Sequence, residues 1–358
     1  MSFAVFSLKS LFSPSFSREE YIRNGKAIDV PQEELHFKDR AKYAWEQVWE
    51  TAKKVFPYVI AYTMPMLITS LGGLYSERSG VTNLGLEGLM LSGYFGSAFA
   101  IRLLENSAGH TQVIIIGLAA GALFGAVFAL LHAFASITLK ADQVISGTAI
   151  NMLAAAITIY IARQVTGSGN IPIMMGIIPM DYAGLSGIPL LGKLIFSRVY
   201  WSTWLVLGIW GFSFWLLYKT SFGLRLRACG EHPSAVASAG VNVHLMRYVA
   251  VLVSGALSGL GGAVMLVTYS GEFNGSVAGL GFLSIAALIF GQWKPLGILG
   301  ATFFFGFFTT LANVSQVIPA LAVIPTVIFK VFPYAVTLVA LVFSSKKMAA
   351  PAANGIPY

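Results

Sequence analysis

Long apolar stretches constrain the fold of this chain more than any other feature of its sequence. A helix that crosses a bilayer needs ~20 mostly apolar residues, and stretches of about that length follow one another for most of the chain. Only 11% of the residues are charged, whereas soluble domains carry about 25%. We therefore predict an all-α, polytopic membrane protein with about 8–10 transmembrane helices. The stretches are 55–74, 85–104, 112–139, 144–162, 200–218, 248–269, 279–293, 296–312 and 316–345.

The charged residues are concentrated at the start of the chain. Residues 1–54 hold nine Lys/Arg and eight Asp/Glu, and 37–52 place apolar residues at helical spacing opposite charged ones. This pattern predicts an arm with an amphipathic helix in the membrane interface, or one packed on a partner protein. We divide the remainder into a transmembrane domain, 55–345, and a short tail, 346–358.

The placement of Lys and Arg predicts the orientation of the chain. The arm, the 219–247 loop and the tail are rich in basic residues, which places all three on the cytoplasmic side. Five apolar stretches separate the arm from that loop, yet two cytoplasmic ends require an even number of crossings. We therefore expect one stretch to be broken, doubled or re-entrant, with the Gly-rich segment 79–88 and the Pro-interrupted segment 171–196 as candidates.

Several kinds of chemistry find no support in the sequence. The chain has a single cysteine, Cys229, and no cluster of residues with metal-ligand spacing. The motifs GxxxxGK[ST], HExxH and GxSxG are absent, so we expect no catalytic residue or cofactor in this chain, and any ATP and Mg²⁺ to be bound by a partner. The net charge of +8 fits basic membrane loops better than nucleic-acid binding, because no basic patch is interleaved with aromatic residues.

Polar side chains within the apolar stretches are candidates for a substrate pathway. Such groups are costly in lipid and tend to face the interior of a bundle or a water-filled path. Glu87 has an alternative interpretation, in which it pairs with Arg78, and Asn151 could simply cross-link helices. A path rich in amides would suit a neutral, hydrogen-bonding solute. The predicted pathway residues are Asn83, Glu87, Gln143, Asn151 and Gln292.

Two further patterns concern the architecture. The segment 79–93 resembles 274–288 when Gly85 is matched to Gly281, which indicates two weakly repeated halves. Small residues at four-residue spacing would also let helices pack closely. These residues are Gly117, Gly121 and Gly125, and Gly255 and Gly259.

The basic loop contains a predicted short helix. Ser234–Ala239 follows Pro233 and ends at Gly240, and both flanking residues are helix boundary signals. A short helix of small residues suits docking in a groove of a partner, although an ordinary solvated loop fits the same residues.

Five segments, in order along the chain, resemble the permease subunits of bacterial ATP-binding-cassette (ABC) importers. The class contains branched-chain amino acid, ribose and nucleoside permeases, and the sequences of these segments are most similar to those of its nucleoside and simple-sugar subgroup. The segments are GLYSERSGVTNLGLEGLMLSG (73–93), ADQVISGTAINML (141–153), GLRLRACGEHPSAVASAGVNV (223–243), SGALSGLGGA (254–263) and GLGFLSIAALIFGQWKPLG (279–297).

The resemblance implies a nucleoside importer in the bacterial inner membrane that works by alternating access. It implies a partner ATPase, a second homologous permease and an extracytoplasmic binding lipoprotein. The loop would be the coupling helix that sits in the ATPase, although His232 departs from the family pattern. Riboflavin or a simple sugar remains an alternative solute, and a stand-alone channel or secondary carrier an alternative of another class. The coupling residues carried over are Arg227, Gly230, Glu231, Pro233, Ala235, Ala239 and Gly240.

Overall fold

The described part of the chain is a bundle of helices, as the apolar stretches predict. The structure is a computed structural model, and it describes residues 37–182, 194, 196–315, 325–344 and 350–358. Two short strands, β1 (Ile171–Pro172) and β2 (Glu272–Phe273), pair antiparallel. The helices are α1 (Phe37–Arg78), α2 (Leu86–Leu104), α3 (His110–Ala133), α4 (Gln143–Thr166), α5 (Trp201–Lys219), α6 (Ser221–Glu231), α7 (Pro233–Ser238), α8 (Val243–Met265), α9 (Leu280–Phe290), α10 (Pro295–Val314) and α11 (Thr326–Ser344).

Among the described residues, five helices are long and apolar enough to cross a membrane. They are α4, α10, the part of α1 from Trp49 onward, and α3 and α8 with the π-helical turns that extend them to Thr138 and Ser270. The pair α5 and α6, bent by 73°, raises the number to six if it forms one span. The chain is thus a polytopic helical membrane protein, and the figure of eight to ten crossings stays a prediction.

Helix α1 differs from the predicted division of the chain. Residues 37–52 are helical, as the periodicity predicts, but they form the beginning of α1 rather than a separate helix. The boundary at residue 54 therefore falls inside a continuous helix. Pro57 and Pro65 lie within α1 and do not end it.

Helices α1 and α8 run antiparallel, and their contacts fix the direction of α1. Tyr62 packs against Tyr269, near the end of α8, with ring centroids 4.3 Å apart. Sixteen residues later, about 24 Å along the helix axis, Arg78 lies 4.0 Å from Glu231, close to where the loop leads into α8. We call the end of the bundle that carries Arg78 and Glu231 the loop end, and the opposite end the far end.

In the described residues, the start of α1 and the 219–247 loop lie at opposite ends of the bundle, whereas the basic residues predict that the arm and the loop share one side of the membrane. Because α1 enters the bundle from the far end, five helices, α1–α5, connect opposite ends without any doubled crossing. The expectation of an even number of crossings depended on placing the arm by its basic residues. The arm also carries nearly as many acidic residues, and the rule for basic residues does not predict the side of such a segment reliably. In the second candidate segment, Ile171–Pro172 forms β1 and the Ile177 amide donates to the Val267 carbonyl, while 183–193 and 195 lie outside the described residues.

Three helices meet backbone to backbone through the predicted glycines. A Cβ at Gly259 of α8 would clash with the carbonyl oxygen of Gly121 and the backbone of Gly125, both in α3. Likewise, a Cβ at Gly255 would clash with Gly125, and one at Gly93 of α2 would clash with Gly259. The close packing predicted from the spacing of small residues is confirmed for α3 and α8, and α2 joins them.

The two resembling segments occupy related places in the bundle. Residues 79–85, which we call the break loop, connect α1 to α2, and residues 271–279 connect α8 to α9. Each connection is followed by a helix N-terminus, at Leu86 and Leu280. Since α1 and α8 are antiparallel, the two units have opposite directions, as in the inverted repeats of transporters.

We predict that Gly259→Ala destabilises the protein by about 1–3 kcal/mol, because a methyl group cannot fit between the α3 and α8 backbones. Gly208→Ala is the matched control, since a Cβ at Gly208 in α5 has no atom within 4 Å. It should leave stability unchanged or raise it slightly. Thermal unfolding of the purified protein in detergent compares the two; equal midpoints would contradict the prediction.

Candidate functional site

The carboxylate of Glu87 pairs with the N-terminus of α9. It accepts hydrogen bonds from the backbone N–H groups of Gly279 at 3.0 Å, Gly281 at 2.7 Å and Phe282 at 3.3 Å. The first N–H groups of a helix have no partner within the helix, and a negative charge is favoured there. The alternative that Glu87 pairs with Arg78 is wrong, because the Arg78 guanidinium donates to the Trp293 carbonyl, at 2.8 Å from Nη2.

Asn151 of α4 ties the break loop to the start of α2. Its Oδ1 accepts from the Gly88 amide at 2.7 Å, and its Nδ2 donates to the Leu84 carbonyl at 2.9 Å. These contacts agree with the alternative interpretation that Asn151 cross-links helices, while its place in a substrate pathway stays a prediction. Its side chain is nevertheless half-buried, as is that of Glu87, so both retain some accessible surface.

Asn83 and Gln143 are more deeply placed. Asn83 is fully buried and donates to the Ser254 hydroxyl at 3.0 Å, while its Oδ1 accepts from the Gly85 amide. The Gln143 Oε1 accepts from the Thr82 amide at 2.6 Å, and its buried Nε2 finds no partner among the described residues. In this conformation both side chains hold the break loop, and their place in a substrate pathway stays a prediction.

The break loop also contacts a histidine of α3 that the sequence analysis did not select as a site residue. His132 of α3 is fully buried, and its Nε2 lies 3.1 Å from the Thr82 carbonyl while its Nδ1 lies 3.0 Å from the Ser146 hydroxyl. Nε2–H donation to the carbonyl and acceptance at Nδ1 would satisfy both contacts. A histidine inside an apolar helix is itself a signal of a site, and this signal could have identified it.

Gln292 does not join the other four predicted pathway residues. It lies in the turn between α9 and α10, beside Trp293, and both residues have positive φ angles of 53° and 52°. Because the Trp293 carbonyl accepts from Arg78, this turn is at the loop end. The structure thus places Asn83, Glu87 and Asn151 around the starts of α2 and α9. Gln143 is connected to this region through its hydrogen bond with Thr82.

The accessible polar groups at this place are a carboxylate, an amide and backbone N–H groups. Tyr334 of α11 is largely exposed and near enough to Glu87 to feel its charge. Such a set of hydrogen-bond donors and acceptors can orient a neutral solute that carries several hydrogen-bonding groups.

The predicted short helix in the basic loop is present as α7, Pro233–Ser238. Pro233 occupies its first turn, and Gly240 follows with φ of 80°, the left-handed conformation that glycine adopts without strain. Ala235, Ala239 and Gly240 are exposed, whereas Val236 is buried and anchors the helix. Small exposed residues on an anchored helix leave room for a groove of another protein to approach closely.

The other predicted coupling residues face this chain. Arg227 donates to the Gly223 carbonyl and lies over the Tyr218 ring, 4.7 Å from its centroid. Gly230 packs so closely on the Arg78 carbonyl that a Cβ would clash. Together with Glu231 beside Arg78, these contacts join the loop to the end of α1. Glu231 is nevertheless exposed, so it is available to a partner together with Pro233 and the exposed residues of α7.

Comparisons with known proteins identify relatives over nearly the whole length. A family model described as "Branched-chain amino acid transport system / permease component" matches residues 56–341. The chain is 42% identical to guanosine ABC transporter permease protein NupQ of Bacillus subtilis (strain 168), over 85% of this chain and 96% of the relative. It is 38% identical to nucleoside ABC transporter permease protein NupC of Lactococcus lactis subsp. cremoris (strain MG1363), over 87% and 98%. A second B. subtilis protein, guanosine ABC transporter permease protein NupP, is 25% identical over 72% and 71%.

We predict that Glu87→Ala lowers stability by about 1–3 kcal/mol, because it leaves the N-terminal amides of α9 without their acceptor in an apolar bundle. Glu87→Gln retains a carbonyl oxygen and should lose less. The exposed Glu272 provides the control Glu272→Ala, for which we expect no measurable change. Thermal unfolding in detergent measures all three; a Glu87→Ala protein as stable as the control would refute the capping role.

Proposed function

This chain belongs to the branched-chain amino acid transport system permease family, and we propose that it is the membrane-spanning subunit of an ABC importer for nucleosides. One observation carries the proposal: relatives named as guanosine and nucleoside permeases share 42% and 38% of their residues with this chain over nearly their full length. The match to the family model, residues 56–341, includes the break loop, the connection 271–279 and α7. A stand-alone channel or secondary carrier would have no use for an exposed coupling helix.

The chemistry around Glu87 is compatible with a nucleoside as solute. A nucleoside is neutral and carries several hydroxyl, amino and carbonyl groups, so it needs both donors and acceptors in its path. Glu87 and Asn151 would offer acceptors and donors where α2 and α9 begin, and the N-terminal amides of α9 are adjacent. No fixed positive charge has to be removed from water for such a solute to pass.

Transport would be driven from the loop end. We propose that α7 docks in the ATPase subunit, which binds ATP and Mg²⁺ and does the hydrolysis. ATP binding would favour one of two packings of the permease, so the path opens to the two sides in turn. The loop end would then face the cytoplasm of a bacterial inner membrane, and α1 would enter from the opposite face.

The remaining partners would complete the path. An extracytoplasmic binding lipoprotein would deliver the solute at the far end. A second, different permease would pair with this chain, which is supported by its similarity to two guanosine permease proteins of one organism, NupQ and NupP. Most of the surface of α4 is left uncovered by the described part of the chain, so this helix offers a surface for lipid or for that permease.

The test is uptake of radiolabelled guanosine by cells that produce the full transporter, with riboflavin, ribose and glucose as competitors. We expect saturable uptake that the other solutes do not inhibit. Inhibition by one of the three would show that this solute shares the path with guanosine. Absence of guanosine uptake would refute guanosine as the solute and leave the family membership in place.

Coupling is tested with Ala235→Trp, which places a bulky side chain on the exposed face of α7 and should reduce uptake at least tenfold by blocking the ATPase groove. Ala235→Ser keeps a small side chain at the same exposed position and serves as control. Membrane amounts of both variants are measured in parallel. Full uptake with Ala235→Trp would contradict ATPase docking at α7.

A further inference from the structure

The segment 350–358, which we call the tail segment, lies against the loop end of the bundle and contacts four of its parts. These parts are the end of α6, the break loop, the end of α1 and the start of α8. Neither the proposed path nor the docking of α7 uses this segment. Its contacts are specific hydrogen bonds of backbone and side chains.

One set of contacts binds the tail segment to the coupling region. The Ala353 amide donates to the Gly230 carbonyl at 2.8 Å, and the Ala352 amide donates to the Glu231 carboxylate at 3.2 Å. Gly230 and Glu231 are the last two residues of α6, directly before α7. Any displacement of α7 toward or away from an ATPase would therefore move the groups that accept hydrogen bonds from Ala352 and Ala353.

A second set binds it to the break loop. The Asn354 Oδ1 accepts from the Thr82 hydroxyl at 3.1 Å, and its Nδ2 donates to the Glu77 carboxylate at 3.3 Å. Thr82 is also the residue whose amide and carbonyl are held by Gln143 and His132. Asn83 is the next residue, and Glu87 is five residues after Thr82, so Asn354 contacts the loop that leads into both of these predicted pathway residues.

The end of the tail segment is fixed on α8. The guanidinium of Arg247, which is 1% exposed, donates from Nη1 to the Ile356 carbonyl at 3.1 Å and lies 5.9 Å from the centroid of the Tyr358 ring. The His244 ring is 5.7 Å from the same tyrosine. With its end anchored in this way, the tail segment cannot slide freely when α6 moves.

We infer that the tail segment transmits the movement of the coupling region to the break loop, with Asn354 as the positioning residue that holds Thr82. The neighbouring residue, Ala353, is hydrogen-bonded to α6, so consecutive residues contact α6 and the break loop. The link is short and its bonds are individually weak, which lets it reform in each of two packings. This inference rests on the proposed function, because it concerns how ATP hydrolysis moves the path.

The test uses the complete transporter in proteoliposomes with its ATPase, second permease and guanosine-loaded binding protein. Asn354→Leu keeps the size of the side chain and removes both of its hydrogen bonds. We expect ATP hydrolysis stimulated by the loaded binding protein to continue, while guanosine uptake per ATP hydrolysed falls about tenfold. A change in this ratio is not expected from a segment that only stabilises the fold, which would lower both rates together.

Thr82 provides an independent arm of the experiment. Thr82→Val removes the hydroxyl and should lower the same ratio, Thr82→Ser keeps the hydroxyl and should restore most of it, and the double variant with Asn354→Leu should be less than additive. Ile356→Ala is the matched control in the tail segment, since that side chain is 56% exposed and the contact uses the backbone carbonyl.

An unchanged uptake-to-ATP ratio in both Asn354→Leu and Thr82→Val overturns the inference, and so does a parallel loss of both rates. A wild-type complex that hydrolyses ATP but takes up no guanosine refutes the proposed solute instead. The two failures are thereby distinguishable.

Discussion

The pairing of the α9 N-terminus is the interaction on which the central part of this bundle depends. A helix that begins within an apolar bundle exposes backbone N–H groups that no water can satisfy. Glu87 supplies the missing acceptors from the start of α2, where the backbone of Gly281 passes so close to the Glu87 Cα that only glycine fits. The two oppositely directed units are therefore joined at the point where each is interrupted, and the start of α9 depends on α2 for its hydrogen-bond acceptors.

Much of the fold could be predicted from the sequence because its signals are local. Apolar length gives the helices, Pro233 and Gly240 bound α7, and glycine spacing gives the contact of α3 with α8. The partner of Glu87 could not be predicted, since the residues are about 190 positions apart and any nearby cation appeared equally suitable. The direction of α1 was missed because the arm carries nearly equal numbers of basic and acidic residues.

The candidate site could be predicted only in part, because the type of a residue does not show where its side chain lies. Asn83, Glu87 and Asn151 meet where sequence reasoning expected a pathway, whereas Gln292 was selected by residue type alone and lies in a turn at the loop end. The coupling motif also divides in a way that residue type does not reveal. Gly230 is buried against α1, and the exposed Glu231 binds Arg78 and the tail segment, while Ala235 and Ala239 face outward. One short sequence therefore makes contacts within the chain and leaves a surface for a partner.

The glycine contacts of α2, α3 and α8 have a consequence for how this molecule can change shape. Alternative packings of two helices usually differ in the rotamers of the side chains between them, and a backbone-to-backbone contact contains no side chain to rearrange. These three helices thus behave as one stiff body with a single arrangement. The conformational change that a working cycle needs must therefore occur in the peripheral helices and the connections that reach them. Mutations that loosen the glycine contacts would let α2, α3 and α8 shift against one another, and that movement would not reach the connections.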